Sequence, residues 1–246
     1  MTPSTLAVRR FAPSGPAAGP PVLLLHGFAS DGHTDWVSTG WPAALVASGR
    51  PVLVPDLPGH GSSPAPADTT PKAVTEELAI AVGEVSEVDV VGYSLGARLA
   101  WDLPALLPVR RLVLGGISPH EPFGAVDVEA ALAFAGGGRL PADPLTAAIA
   151  RMITAPGRDP VALARCIEGL RREPFAPRVG TIGVPTRFVA GREDPVSQGI
   201  ETLVPLVPGS DLLMVPGDHG GALRGAPFRT AALTFLDTPF TTSRRG

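Results

Sequence analysis

A mostly parallel β-sheet covered by helices on both faces, with a small helical insertion, is the fold class this sequence predicts. Three observations predict it. Short apolar runs recur at residues 21–25, 51–55, 88–91, 111–114, 186–190 and 212–215, each bounded by Gly or Pro. These runs are continuous rather than alternating, which suits strands buried on both faces. Helix-length segments at 71–85, 95–107 and 222–236 lie between or after them, and strand alternating with helix argues for a doubly covered sheet. The third observation is a break in that alternation across residues 118–178, where no strand is evident.

Taken in order, residues 5–11 and 21–25 read as an antiparallel edge hairpin that opens the sheet. The runs at 51–55 and 88–91 supply inner strands, and 111–114, 186–190 and 212–215 complete the series. The insertion carries a flexible Gly136-Gly137-Gly138 and two helix starts, Asp143-Pro144 and Asp159-Pro160. Each start sets an N-cap carboxylate before a proline at the first helical position. Behind them Leu145, Ile149, Met152 and Ile153 share one face, as do Leu163, Cys166, Ile167 and Leu170. The expected organisation is a core of residues 1–117 and 181–246 with a helical cap at 118–180, lying over the sheet's carboxyl edge. The polar, basic tail 238–246 is expected to fray.

The chain has 246 residues, 44% of them hydrophobic and 17% charged, with a net charge of -3, which is ample for a core. Lys72 is the only lysine among 20 basic residues, and nothing is basic enough to suggest a nucleic-acid partner. A single cysteine, Cys166, forms no internal disulfide. The first residues lack the apolar core of a signal peptide, and no run approaches the roughly 20 residues that span a bilayer. The expectation is a soluble, cytoplasmic protein with a small-molecule substrate and no membrane or nucleic-acid partner. Oligomeric state is not legible.

Chemistry is concentrated at "DVVGYSLGARLAW", residues 89–101. A lone serine stands between two glycines where a buried strand becomes a helix. Such a reversal strains the turn residue, and Gly92 and Gly96 remove side chains that would collide with neighbouring backbone. Ser94 Oγ is then exposed above the sheet, at a helix N-terminus that favours developing negative charge. A hydroxyl needs an adjacent base, itself oriented by a third group. "GREDP" places Asp194 just beyond one strand, and "PGDHGG" places His219 just beyond the last. Glu193 competes with Asp194 for the orienting role. An oxyanion hole needs two donors, for which the N–H groups of Phe28, in "LLLHGFASD", and Leu95 are the candidates.

These residues together resemble the α/β-hydrolase fold superfamily, in particular its compact, capped esterase, lipase and lactonase-like members. The resemblance rests on His26-Gly27-Phe28, "DLPGHGSS" at 56–63, "GYSLG" at 92–96, Asp194 and His219, in the order Ser, Asp, His. It implies a catalytic triad of Ser94, Asp194 and His219, with Asp194 matching the family position of the acid. In some similar proteins the acid follows the strand after the nucleophile helix, where Glu121 is the only nearby carboxylate. Asp56 and His60 are implied to be structural, and the His26 ring to hydrogen-bond the loop bearing the oxyanion donors. A serine at the elbow argues against similar dehalogenases and epoxide hydrolases, which use aspartate there. The implied function is hydrolysis of a carboxylic ester or similar activated carbonyl through an acyl-enzyme. The alternatives are C–C bond hydrolysis, perhydrolysis or lyase chemistry on the same triad, or a non-catalytic small-molecule receptor. No cofactor is implied, and no residue cluster has metal-ligand spacing. Phe28, Phe123, Phe134, Leu145, Ile149 and Met152 are expected to form an apolar pocket for a small to medium substrate.

Overall fold

The computed structural model describes residues 4–238. Seven strands form one sheet: β1 (Val8–Phe11), β2 (Val22–Leu25), β3 (Val52–Pro55), β4 (Val88–Tyr93), β5 (Val109–Gly115), β6 (Thr186–Gly191) and β7 (Asp211–Val215). Their spatial order is β1-β3-β2-β4-β5-β6-β7, and every pair is parallel except β1 with β3. Every residue of β2, β3 and β4 is buried, as continuous apolar runs require of strands covered on both faces. Successive side chains point to opposite faces. Leu23 and Leu25 accordingly join one buried cluster with Val90, Leu112 and Phe188, and Val22 and Leu24 join another with Trp36, Trp41 and Phe228.

The opening strand corrects one expectation. β1 does not pair with β2 as a hairpin; it runs antiparallel to β3, with Val8 opposite Pro55 and Phe11 opposite Val52. Both edges of β2 are already occupied, by β3 on one side and β4 on the other. Arg9 fixes the pairing further, because its guanidinium donates to both oxygens of Asp56 at 2.7 and 3.2 Å.

Helices α1 (Trp41–Ala47) and α8 (Ala226–Asp237) cover one face; α2 (Pro71–Val82) and α3 (Leu95–Ala100) cover the other. Two helical expectations shorten and a third divides. α2 stops at Gly83, whose φ of 78° ends the helix, and α3 gives way to a tight turn at Leu103–Ala105 that contains Pro104. The C-terminal segment is two helices, α7 (His219–Arg224) and α8, because Pro227 starts a new helix after Gly225.

Between β5 and β6 lies the helical insertion: α4 (Val128–Ala135), α5 (Pro144–Ile153) and α6 (Pro160–Arg172). Asp143 caps α5 by accepting from Thr146 N at 2.7 Å, and Asp159 caps α6 by accepting from Val161 N at 2.9 Å. Each such cap contributes about 1 kcal/mol. α4 is an addition to the elements expected from sequence, capped in the same way by Asp127 on Ala130 N at 2.9 Å. The three glycines after it are not a free linker. Gly137 N donates to Phe134 O and Gly138 N to Ala133 O, both near 3 Å, with Gly137 at φ 91°, the paired bonds that close a helix C-terminus. Arg158 ties the insertion to the core through Asp31 at 2.9 Å, and Thr69 Oγ1 donates to Arg165 O at 2.6 Å. Of the tail expected to fray, all but Thr238 lies outside the described residues.

Candidate active site

Register places the site. Leu25 lies opposite Gly92, Tyr93 opposite Gly115, Gly115 opposite Val189, and Gly191 opposite Val215. The carboxyl ends of β2, β4, β5, β6 and β7 therefore open at one edge, and the segments leaving those ends carry Phe28, Ser94, Glu121, Asp194 and His219. β2 and β4 are also where the strand order reverses, the place at which open α/β sheets leave a crevice.

At the end of β4 the chain turns sharply into α3 through Ser94, at φ 54° and ψ -117°, a conformation that side chains rarely adopt. The Ser94 N–H donates to Gly115 O at 2.8 Å, and its carbonyl accepts from Arg98 N at 3.0 Å. The two glycines are a steric necessity. A Cβ at Gly92 would fall on Gly96 O, and one at Gly96 would fall on Leu25 O. Ser94 Oγ has no hydrogen-bond partner among the described residues, and the residue lines a cavity of about 380 Å³.

His219 lines the same cavity as the first residue of α7. Its Nδ1 lies 2.8 Å from Asp194 Oδ2. Asp194 is buried and also accepts from Ser197 Oγ at 2.7 Å and Val196 N at 2.9 Å. Burial alone would raise its pKa; the hydrogen bonds from His219 and Ser197 outweigh that, and the carboxyl lies below its ordinary value. An ionised carboxylate can only accept, so Nδ1 carries a proton and, in the neutral ring, Nε2 is the nitrogen with the lone pair. Neighbouring carboxylates do other work. Glu193 Oε2 accepts from Gly217 N at 2.7 Å, Asp218 caps α7 on Gly221 N at 2.7 Å, and Glu121 Oε1 accepts from Phe123 N at 3.2 Å. None of the three is bonded to His219.

Phe28 and Leu95 both line the cavity. Leu95 opens α3, so its N–H is among those a helix leaves without an internal partner. The loop bearing Phe28 is fixed from below: Asp35 accepts from Gly27 N at 2.9 Å and from Ser30 Oγ at 2.5 Å. Next to Phe28, Ala29 sits at φ 52°. His26 staples this loop to the one after β3, donating from Nδ1 to Gly27 O at 2.8 Å and accepting from Leu57 N on Nε2 at 2.8 Å. Burial holds the His26 pKa down, in keeping with that neutral tautomer. Asp56 is a hub for the backbone of Gly32 and Ser62, both at 2.9 Å, and for Arg9. His60 is buried against Phe28, with ring centroids 5.8 Å apart, and burial lowers its pKa to about 3.

Of the expected pocket residues, Phe123, Leu145, Ile149 and Met152 line the cavity, and Phe134 does not. Phe134 lies on α4, which packs against α5 and α6, and its ring joins the apolar core there. Leu145 and Met152 remain 38% and 42% exposed, so the cavity wall they form on α5 stays open to solvent. Several cavity residues gave no signal in the sequence. Tyr93 donates its hydroxyl to His219 O at 2.6 Å and sets its ring 5.2 Å from the imidazole, yet the motif leaves that position open. Arg98, Phe175 and Arg224 also reach the cavity. Among the described residues no helix is long and apolar enough to cross a membrane, and no cluster of His, Cys, Asp or Glu is arranged to hold a metal ion.

Comparison with known proteins gives the family and the fold. A model of the alpha/beta hydrolase family matches residues 22–233. An esterase of Mycobacterium tuberculosis is 37% identical over 108 residues, 42% of this chain and 34% of that protein. This chain thus matches about a third of the length of that relative. Among solved structures, a hydrolase from Pseudomonas aeruginosa PA01 is 25% identical with a TM-score of 0.66, covering 95% of this chain and 94% of the other. The enol-lactonase from Burkholderia xenovorans LB400 is 22% identical with a TM-score of 0.73, covering 95% and 96%, and shares the fold. Matched by its family model from the second strand to the last helix, this chain belongs to the α/β hydrolase family.

Proposed function

We propose that this protein is a serine hydrolase that cleaves a carboxylic ester, or a similarly activated carbonyl, of a small to medium substrate. The observation that carries the reading is the 2.8 Å contact of His219 Nδ1 with the buried Asp194 carboxylate, with Ser94 at a strained turn on the wall of the same cavity. In this reading residues 118–180 act as a cap over the substrate, and Phe123, Leu145, Ile149 and Met152 receive its apolar part.

His219 Nε2 takes the Ser94 hydroxyl proton as Oγ attacks the carbonyl carbon. The carbonyl electron pair moves onto oxygen, and the N–H groups of Phe28 and Leu95 stabilise that charge; losing one such donor costs about 3 kcal/mol of barrier. The protonated imidazole then gives its proton to the departing alkoxide, which leaves an acyl group on Ser94. Water attacks the acyl carbon as Nε2 accepts its proton, and Ser94 leaves with that proton restored. Asp194 stays ionised throughout and holds the imidazole tautomer. Tyr93 is the positioning group, its phenol holding the carbonyl of His219. The cycle consumes one water and needs no cofactor. A cytoplasmic site of action belongs to the same reading and is compatible with Cys166, a buried free thiol whose pKa burial pushes up to about 12.

Ser94→Ala tests the proposal. The variant is expected to keep its melting temperature and lose p-nitrophenyl butyrate turnover to background. Retained turnover at more than a few per cent of the parent rate contradicts it.

A further inference from the structure

Several arginines with buried or half-buried side chains are matched with acids, and buried Arg111 donates to the carbonyls of Leu236 and Thr238. Arg9 meets Asp56, Arg50 and Arg110 share Asp89, Arg98 meets Asp102, and Arg158 meets Asp31. Arg224 is exposed and stands outside this set. It lines the cavity that holds Ser94 and His219, and among the described residues it has neither a hydrogen bond nor an ion pair. Its position is accommodated by the chain beside it. Gly220 lies inside α7 without a positive φ, so its backbone does not call for glycine, yet a Cβ there would come within 2.8 Å of Arg224 Nη2. Helices disfavour an internal glycine by about 1 kcal/mol relative to alanine. The absent side chain gives the guanidinium room against Gly220, the residue next to His219.

The acidic groups that line the cavity or open α7 are otherwise engaged. Asp35 is held by Gly27 N and Ser30 Oγ, and Glu121 by Phe123 N, with burial pushing the Glu121 carboxyl toward its neutral form. Asp218 holds the N-terminus of α7. Arg224 is thus an exposed cation at the rim of a largely apolar cavity, free to meet a negative charge on what enters.

We propose that Arg224 binds a carboxylate carried by the leaving group of the substrate, so that the preferred substrates are esters of hydroxy acids or enol acids. The inference rests on the hydrolase reading above, and the side of the cavity follows from it. The leaving oxygen must sit at His219, which protonates it, and Arg224 is on the same short helix. A guanidinium presents paired N–H donors that fit a carboxylate, and such charge-assisted bonds are the stronger kind.

The test compares 4-carboxyphenyl butyrate with 4-carbamoylphenyl butyrate, which differ by a charge at nearly constant shape. The ratio of their kcat/KM values is expected to favour the carboxylate by about tenfold. It should fall to about 1 in Arg224→Gln, recover in part in Arg224→Lys, and shrink in the parent protein as salt is raised. Gly220→Ala, which pushes the guanidinium away while keeping the charge, should lower it as well. A parent ratio near 1, or a ratio unchanged in Arg224→Gln, overturns the proposal. If neither ester is turned over, the hydrolase reading fails, and binding of the products decides the subsite separately. Tighter binding of 4-hydroxybenzoate than of 4-hydroxybenzamide, lost in Arg224→Gln, supports it; equal or no binding overturns it.

Discussion

Replacing Asp194 by asparagine perturbs one atom and separates the proposed mechanism from a merely structural role. Oδ1 accepts from Val196 N at 2.9 Å, so the asparagine oxygen must take that place. The amide NH2 then occupies the position of Oδ2, which faces Ser197 Oγ at 2.7 Å and His219 Nδ1 at 2.8 Å. Serine can turn its hydroxyl and accept instead. Imidazole can meet an N–H donor at Nδ1 only by moving its own proton to Nε2, the atom that must receive the Ser94 proton. The base is then present in the wrong tautomer. By analogy with other serine triads the loss in kcat is about 10⁴-fold, or about 5 kcal/mol of barrier, with KM little changed. The assay is steady-state p-nitrophenyl butyrate hydrolysis alongside thermal melting. Because the folded-state pKa of Asp194 is depressed, its ionised form stabilises the fold above about pH 4 and that contribution fades as pH falls through the folded value; Asp194→Asn should lose this acid-side dependence. A variant within tenfold of the parent kcat refutes the tautomer argument. If Glu193→Gln proved the more damaging change, the orienting role would pass to Glu193.

Three further outcomes are expected. Gly96→Ala sets a methyl on Leu25 O inside the sheet-to-helix turn and should abolish soluble folding or cost several kcal/mol by chemical denaturation; a parent-like midpoint would contradict the packing described. Asp89→Ala removes the buried carboxylate that compensates Arg50 and should destabilise by about 3–5 kcal/mol, whereas a loss under about 1 kcal/mol would mean that exposed Asp237, 3.5 Å from Arg50, compensates it alone. His60 is held neutral in the fold to about pH 3 but titrates near pH 6.5 when unfolded, so the unfolded state binds the extra proton between those values. Stability should therefore fall as pH drops below about 6.5, by about 1 kcal/mol per unit from this group, and His60→Gln should flatten the slope of melting temperature against pH; an equal slope would place the effect elsewhere.

How much was legible in the sequence depends on the range of the interactions involved. β2, β3 and β4 announce themselves because burial on both faces leaves an uninterrupted apolar run, and α5 and α6 because Asp-Pro writes their first turn. Ser94, Asp194 and His219 were legible for a related reason: each comes just after a strand end, and parallel strands deliver their ends to one edge. Partner choice across the sheet is another matter. That β1 joins β3 depends on Arg9 meeting Asp56 and on both edges of β2 being taken, which no local pattern of residues 5–25 records. α4 was hidden because it lacks proline, although Asp127 three residues before Ala130 was a readable cap. Phe134 was misplaced because hydrophobicity marks a buried ring without saying which of two apolar spaces receives it. Tyr93 and Arg224 depend on distances across the fold, 126 residues apart in the case of the Tyr93 hydroxyl and the His219 carbonyl.

The most direct test of a nucleophilic Ser94 is covalent labelling with a fluorophosphonate, read by mass spectrometry of the digested protein. One adduct per chain is expected, on the peptide that bears Ser94, formed slowly or not at all once His219 is replaced by alanine. Labelling that persists in Ser94→Ala, or a parent protein that stays unmodified while it turns over esters, would contradict it.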